Sequence, residues 1–206
     1  VATLKQANKL LELVIQKETP SEQLQTLYEG GYLADLLDAN LSTMNREAFR
    51  KFCGLGQLMP DLMELNGIIL PEQSVTFGDR ITKGAYDWKN DDLTEKRYPL
   101  TLSAGPRNLV LAHFNKVMTS KQVEAWASEN GYEVALIDDL LAVGSHSEYK
   151  ELQRKFPIIA LGSSAVVGGR RHVPDLSRSD SRRFLYLLWY FDAWRGGCRF
   201  LLRKVS

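Results

Sequence analysis

Side chains able to do chemistry are present in this chain, but they are scattered. His113, His146 and His172 are the three histidines. A catalytic or metal-ligating histidine works beside a second ligand or an orienting carboxylate, and none of the three has one at a recognisable spacing. His113, next to Phe114, reads as a core or supporting residue. The adjacent carboxylates Asp138 and Asp139 suggest acid–base work. Neighbours on a helix point in different directions, however, so stabilising a helix N-terminus is the better reading. Cys53 and Cys198 lie far apart without a CxxC, so neither a disulfide framework nor a zinc site follows from spacing and both read as free thiols. There is no glycine-rich phosphate loop, HExxH or GxSxG. Catalysis is therefore not expected, nor is a metal or cofactor; calcium in particular would need clustered acidic residues, and those near the C-terminal end are dispersed.

The densest functional chemistry is basic and aromatic. Arg170, Arg171, Arg178, Arg182, Arg183, Arg195, Arg199, Arg203 and Lys204 face only Asp175, Asp180 and Asp192, with Trp189, Tyr190 and Trp194 among them, although the whole chain carries a net charge of only +1. Guanidinium groups and large rings can track phosphates and stack bases, so an Arg-rich nucleic-acid-binding protein is one reading. The same residue types also supply most of the energy of protein recognition. The near-absence of Lys is an odd way to build a phosphate groove.

That absence is part of a wider gap. From Ala160 to Arg203 there is no Lys, Asn, Thr, Ile or Met, and no Glu or Gln. The first five are the residues whose every codon begins with adenine. They make up roughly a quarter of the earlier chain, so a gap of this length arises by chance on the order of once in 10⁵ to 10⁶ tries. A buried strand region would keep Ile and Thr, and an Arg-rich core segment of unusual composition is the bland alternative. A process acting on adenines in the gene accounts for the pattern directly.

The elements that position these residues follow from periodicity. With 206 residues and 44% hydrophobic content, the chain can bury one full domain with a small companion. Leu4, Ala7, Leu10, Leu11, Val14 and Ile15 share one helical face, and Thr19-Pro20 stops that helix. A second helix starts at Ser21 and breaks at Gly30-Gly31. Shorter ones are predicted at Tyr32–Ala39, with Leu33, Leu36 and Leu37 inward, and at Met44–Cys53, with Phe49 and Phe52 inward. Residues 1–57 thus read as a helical N-terminal unit, and 58–98 as a connector with short strands. Residues 99–206 read as an α+β domain that closes non-locally. Its predicted strands are Leu100–Ser103, Asn108–His113, Ile158–Leu161, Arg171–Val173, Phe184–Trp189 and Arg199–Lys204. Helices are predicted at Ser120–Asn130, Leu136–Val143 and, in short form, Ser147–Lys155. The final strand is expected beside the first strand of the domain.

The Trp189–Trp194 spacing, followed by Arg199-Phe200-Leu201, resembles the C-type-lectin-fold variable proteins diversified by retroelements. The segments Ala112-His113-Phe114-Asn115, Thr119-Ser120, Gly131-Tyr132, Leu140-Leu141-Ala142, Leu152-Gln153 and Pro157 to Ser163 are similar to bacterial members with a hypervariable end, of the kind found in candidate-phylum bacteria. Leu36 to Asn40 and Gly54-Leu55-Gly56 fit the same group. In such systems an error-prone reverse transcriptase copies a template repeat, mutates it at adenines and writes the product into the 3′ end of the target gene.

The resemblance implies a C-type-lectin-like domain over 99–206 with a hypervariable segment at 160–203. Asn codons in the template are the usual targets. The implied display positions are Ala165, Val166, Gly168, Gly169, His172, Asp175, Ser177, Arg178, Ser179, Asp180, Tyr186, Leu188, Phe191, Ala193, Arg195, Gly196, Gly197 and Cys198. Trp189, Trp194, Arg199 and Phe200 would be scaffold. Alternation independently places Leu185, Leu187 and Trp189 on one strand face and Phe184, Tyr186 and Leu188 on the other. If the second face is open, Tyr186 and Leu188 with Phe191, His172 and Arg195 make an Arg-rimmed aromatic patch suited to a protein or other macromolecular ligand; if not, Tyr186 and Leu188 are buried on both sides. The N-terminal helices are expected to attach the domain to a partner or to a second copy, and a structural or assembly role with the Arg-rich tail packed inside is a further reading. No run is long enough to span a bilayer and no signal pattern is visible, which makes the cytoplasm the expected location.

Overall fold

The computed structural model describes residues 3–40, 49–50, 52–53, 60–190 and 193–205, and everything below concerns these. The chain divides into two compact units, 1–57 and 58–206.

The first unit contains α1 (Leu4–Gln16), α2 (Ser21–Glu29) and α3 (Tyr32–Asp38). Thr3 starts α1 with a reciprocal cap. Its hydroxyl accepts from the Gln6 amide, and its own amide donates to the Gln6 side chain at 2.8 Å, so two of the unpaired first-turn donors are satisfied. Gly31, at φ +79°, makes the break between α2 and α3 that a residue with a Cβ resists. Neither α2 nor α3 buries a residue. Leu33, Leu36 and Phe49 are half-buried, whereas Leu37 and Phe52, both expected to face inward, are exposed, as is Ile15. Helices of this length carry one apolar stripe each and too few facing stripes to cover them. Of the fourth predicted helix, Met44–Cys53, Phe49, Arg50 and Phe52 are helical and Cys53 is an exposed turn residue; the others lie outside the described residues.

The second unit is an α+β domain built on one nine-stranded mixed sheet. In chain order its elements are β1 (Asp61–Leu70), α4 (Phe77–Gly84), β2 (Trp88–Lys89), β3 (Gly105–His113), α5 (Ser120–Glu129), β4 (Tyr132–Val134) and α6 (Ile137–Ser145). A single 3₁₀ turn (Leu152–Arg154) leads on to β5 (Ile158–Ile159), β6 (Ala165–Val167), β7 (Arg170–Ser179), β8 (Arg182–Trp189) and β9 (Arg199–Lys204). The main path runs β1-β3-β9-β5-β7-β8-β2, with β4 also on β9 and β6 also on β7. Residues 58–98 are thus no separate connector: they add both edge strands and a helix to the domain. The returning strand β9 pairs antiparallel with β3, Leu109 opposite Arg203 and Ala112 opposite Phe200, as the non-local closure required.

Both faces of the sheet centre are buried. Leu109, Leu111, Leu176, Leu185, Leu187 and Leu201 pack on one side with Ile137, Leu140 and Leu141 of α6. Val110, Ala112, Ile159, Val173, Phe200 and Leu202 pack on the other with Val123 and Ala127 of α5 and with Trp194. Successive β3 residues go to opposite clusters, the strand alternation expressed with both sides covered.

The predicted strand Leu100–Ser103 is a loop. Its Thr101 and Leu102 amides donate to the buried Asp138 carboxylate at 3.2 and 3.4 Å, so they are unavailable to a ladder. Asp138 also faces Arg80 at 3.5 Å, and Asp139 lies 3.9 Å from both Arg107 and Arg203 while accepting from the Leu136 amide. The pair serves the α6 N-terminus, and beyond that it ties one loop, helix α4 and two strands to it.

Candidate functional site

The β7–β8 hairpin carries most of the implied display positions, and its register decides which of them can act together. His172 lies opposite Trp189, Asp175 opposite Tyr186, Ser177 opposite Phe184 and Ser179 opposite Arg182. By alternation, Asp175, Ser177, Ser179, Tyr186 and Leu188 share one face, while His172 and Arg178 project from the other. The expected patch joining Tyr186, Leu188 and His172 therefore does not form.

Exposed among the display positions are Val166, Gly168, Gly169, Arg178, Ser179, Asp180, Tyr186, Ala193, Arg195 and Gly197. Ala165, His172, Ser177, Leu188, Gly196 and Cys198 are half-buried, and Phe191 lies outside the described residues. Asp175 is fully buried, at 0% exposure, and cannot contact a ligand. Gly168 and Gly169 form the two-residue β6–β7 turn with φ of +57° and +80°. Two successive positive φ values define the hairpin turn that matches strand twist, and Gly, Asn and Asp tolerate it best.

Asp175 is the anomaly of the region. Neither carboxylate oxygen has a hydrogen-bond partner among the described residues. Burial raises its pKa to about 7. The Cys198 thiol, free as expected, is pushed up by its own burial and then by the Asp175 charge.

Aromatic rings make the exposed part of the hairpin. Trp88 of β2 meets Phe184 edge-on at 5.8 Å and lies tilted over Tyr186 at 5.4 Å. Trp189, expected on the core face as scaffold, is 45% exposed. It stands at the end of β8, with His172 at 6.5 Å and the Arg170 guanidinium 4.1 Å above its ring. On the opposite face Arg171 stacks 4.1 Å from Tyr190, whose hydroxyl donates to Glu124. Trp194 and Phe200 are buried as scaffold, with the Trp194 indole donating to the Ser120 hydroxyl at 2.8 Å.

Arg183, Arg203 and Lys204 have structural partners. Arg183 is buried and donates only to uncharged oxygens: Gly144 at 2.6 Å, Gly84 at 2.7 Å, Lys150 at 3.1 Å and the Gln153 side chain at 3.2 Å. Arg203 pairs with Glu133 and Asp139, and Lys204 with Glu64 at 2.6 Å. No periodic sequence signal marks Arg183 or Arg80 as buried hubs; only their long-range partners reveal it.

A cavity of about 260 Å³ is lined in part by Asp61, His113, Phe156 and Arg199. His113 Nε2 lies 2.9 Å from the Gly196 carbonyl, to which it must donate, and Nδ1 lies 3.5 Å from Asp61. Both ring nitrogens are engaged, which suits a residue that anchors the 193–198 segment. Among the described residues no group of three His, Cys, Asp or Glu could hold a metal ion, and no helix is long and apolar enough to cross a membrane. No protein-family model, curated protein or solved structure matches the chain.

Proposed function

We propose that this is a non-enzymatic, ligand-binding display protein whose C-terminal surface is diversified by adenine-directed mutagenic retrohoming. The observation that carries the reading is the Ala160–Arg203 gap in residues with adenine-first codons. The domain's order adds support for a C-type-lectin-like arrangement. After β1, α4 and β2, strand β3 leads through α5, β4 and α6 to a central strand and a hairpin, and the final strand returns to pair with β3. Most display positions are exposed or half-exposed, which a binding surface needs. The ligand is a protein or other macromolecule, the N-terminal helices attach the domain to a partner or a second copy, and the setting is cytoplasmic.

Nucleic-acid binding is the weaker reading. Arg170 and Arg171 project from opposite strand faces, Arg183 is buried and Arg203 is paired, so the tail does not form one basic track.

Sequencing the DNA downstream of the gene tests the proposal. A near-copy of the Ala160–Lys204 coding segment beside a reverse transcriptase, differing only where the copy carries adenine, is the expected result. Absence of such a copy removes the explanation of the gap and overturns the reading.

A further inference from the structure

We infer that the cavity where β1 and β9 begin and β3 ends is a binding site for a small carboxylate carrying a compact apolar group, held by Arg199. This goes beyond the display reading and does not rest on it.

Strand register builds the site. Asp61 pairs with His113 and Met63 with Leu111 across β1 and β3. Ala112 pairs with Phe200, so one step further along the ladder Arg199 comes level with His113. By alternation Asp61, Met63, Leu111, His113 and Arg199 face one side of the sheet, the side on which Leu111 and Leu201 pack with α6. Phe156 packs against that same cluster from the segment before β5. The apolar layer thus ends in a row of three polar residues on adjacent strands, and the cavity of about 260 Å³ lies there, with Leu62 also on its wall.

Arg199 is the group that lacks a counterpart. Burying a charge is costly unless it is paired, and this guanidinium is half-buried. Among the described residues Asp61 acts on it only at longer range, its own contact being His113 Nδ1 at 3.5 Å. Burial holds the Arg199 pKa below its ordinary value, and the Asp61 charge works against that. The guanidinium carbon lies 4.6 Å over the Phe156 ring, and Nη1 donates to the Gly197 carbonyl at 2.9 Å. A guanidinium has five N–H donors in its plane, so stacking and one bond leave donors for a carboxylate.

The other walls define the rest of the ligand. Leu62, Met63, Leu111 and Phe156 favour an apolar group. At about 30 Å³ for each water-sized group, the space takes roughly eight or nine non-hydrogen atoms, the size of 4-methylpentanoate or leucine. Asp61, 87% exposed on the rim, disfavours a dianion such as phosphate and offers a place for the ammonium of an amino acid. None of the lining residues is a proposed display position, so every diversified copy would keep the same site. His113 and Arg199 hold the Gly196 and Gly197 carbonyls, which ties an occupant to the 195–198 segment above it.

The test is an NMR titration of the ¹⁵N-labelled full chain with 4-methylpentanoate, leucine, 4-methylpentanamide and inorganic phosphate. Saturable shifts of the Met63 and Gly197 amides and of Arg199 Nε are expected with one or both acids, with a Kd on the order of 1 mM or below. The amide lacks the charge and should bind about tenfold more weakly, or not at all. Tighter binding by leucine assigns the ligand to the amino acids, and tighter binding by 4-methylpentanoate assigns it to simple acids. Arg199→Gln should abolish saturable binding. Met63→Trp, at a side chain 45% exposed on an edge strand, should fill the cavity and abolish binding with Arg199 intact and Tm unchanged. No saturable shift with either acid, equal binding by the amide or by phosphate, or full binding by either variant would overturn the proposal.

Discussion

Arg183 donates to the Gly144 carbonyl at 2.6 Å, and with that bond a buried guanidinium closes the C-terminal end of α6. The Gly84 carbonyl at the end of α4 accepts from the same group at 2.7 Å. Helix C-termini present unpaired carbonyls and partial negative charge, so two of them together replace the carboxylate that a buried Arg normally requires. Tyr86, stacked 5.2 Å from the guanidinium, completes the enclosure. Replacing Arg183 with Met should leave these carbonyls unpaired and cost about 3–5 kcal/mol in denaturant unfolding. Arg183→Lys should recover only part of that loss, because an ammonium cannot span the same fork.

Asp175 should make stability fall with rising pH. Its folded-state pKa of about 7 lies above the ordinary carboxylate value of 3.8, so between these pH values the folded state holds a proton that the unfolded state has released. The contribution is complete below about pH 4, is lost as pH rises toward 7, and is flat above that. Asp175→Asn should raise stability at pH 8 by about 1–3 kcal/mol and remove most of the slope between pH 4 and 7, measured by urea unfolding across that range.

Tyr186 and Arg195 are exposed and should matter to binding more than to folding. Once a ligand is in hand, Ala substitution of both should abolish its binding in a calorimetric titration. The Tm should stay within about 2–4 °C, because Tyr186 packs chiefly on Trp88, itself a partly exposed ring. A large fall in Tm would make these residues core.

Gly168 and Gly169 should accept a narrow set of replacements. Val at either site should cost about 1–2 kcal/mol through its Cβ at positive φ, whereas Asn should cost well under that. Thermal unfolding of the four single variants checks the order. Since Asn is the proposed template residue, the turn would fold before and after diversification.

Local signals reached the helices well and the polar ties poorly. Periodicity and caps located α1, α2 and α5, where Thr119 and Gln122 form the reciprocal cap and Gly131 ends the helix. Leu100–Ser103 reads as a strand because its composition suits one, yet the Asp138 carboxylate, far along the chain, takes the amides a ladder would use. Alternation placed Leu185 and Leu187 correctly and failed at Trp189, the last residue of β8, which is 45% exposed. The burial of Asp175 was equally hidden, since a charged residue in a strand carries no local mark of a covered face. The proposed display positions rest on a codon pattern, which says nothing of the face each one occupies.

The place of β9 would give a diversified C-terminal end a second consequence. Arg199–Lys204 follows every other strand in the chain, yet lies in the middle of the sheet, between β3 on one side and β5 and β4 on the other. During synthesis the earlier strands wait as two unjoined halves until these residues leave the ribosome. If the gene's end is rewritten as proposed, a frameshift or premature stop introduced there would leave a chain with no central strand, open to proteolysis. Translation itself would act as a filter, passing only those rewritten copies whose new sequence still reaches and completes the middle of the sheet.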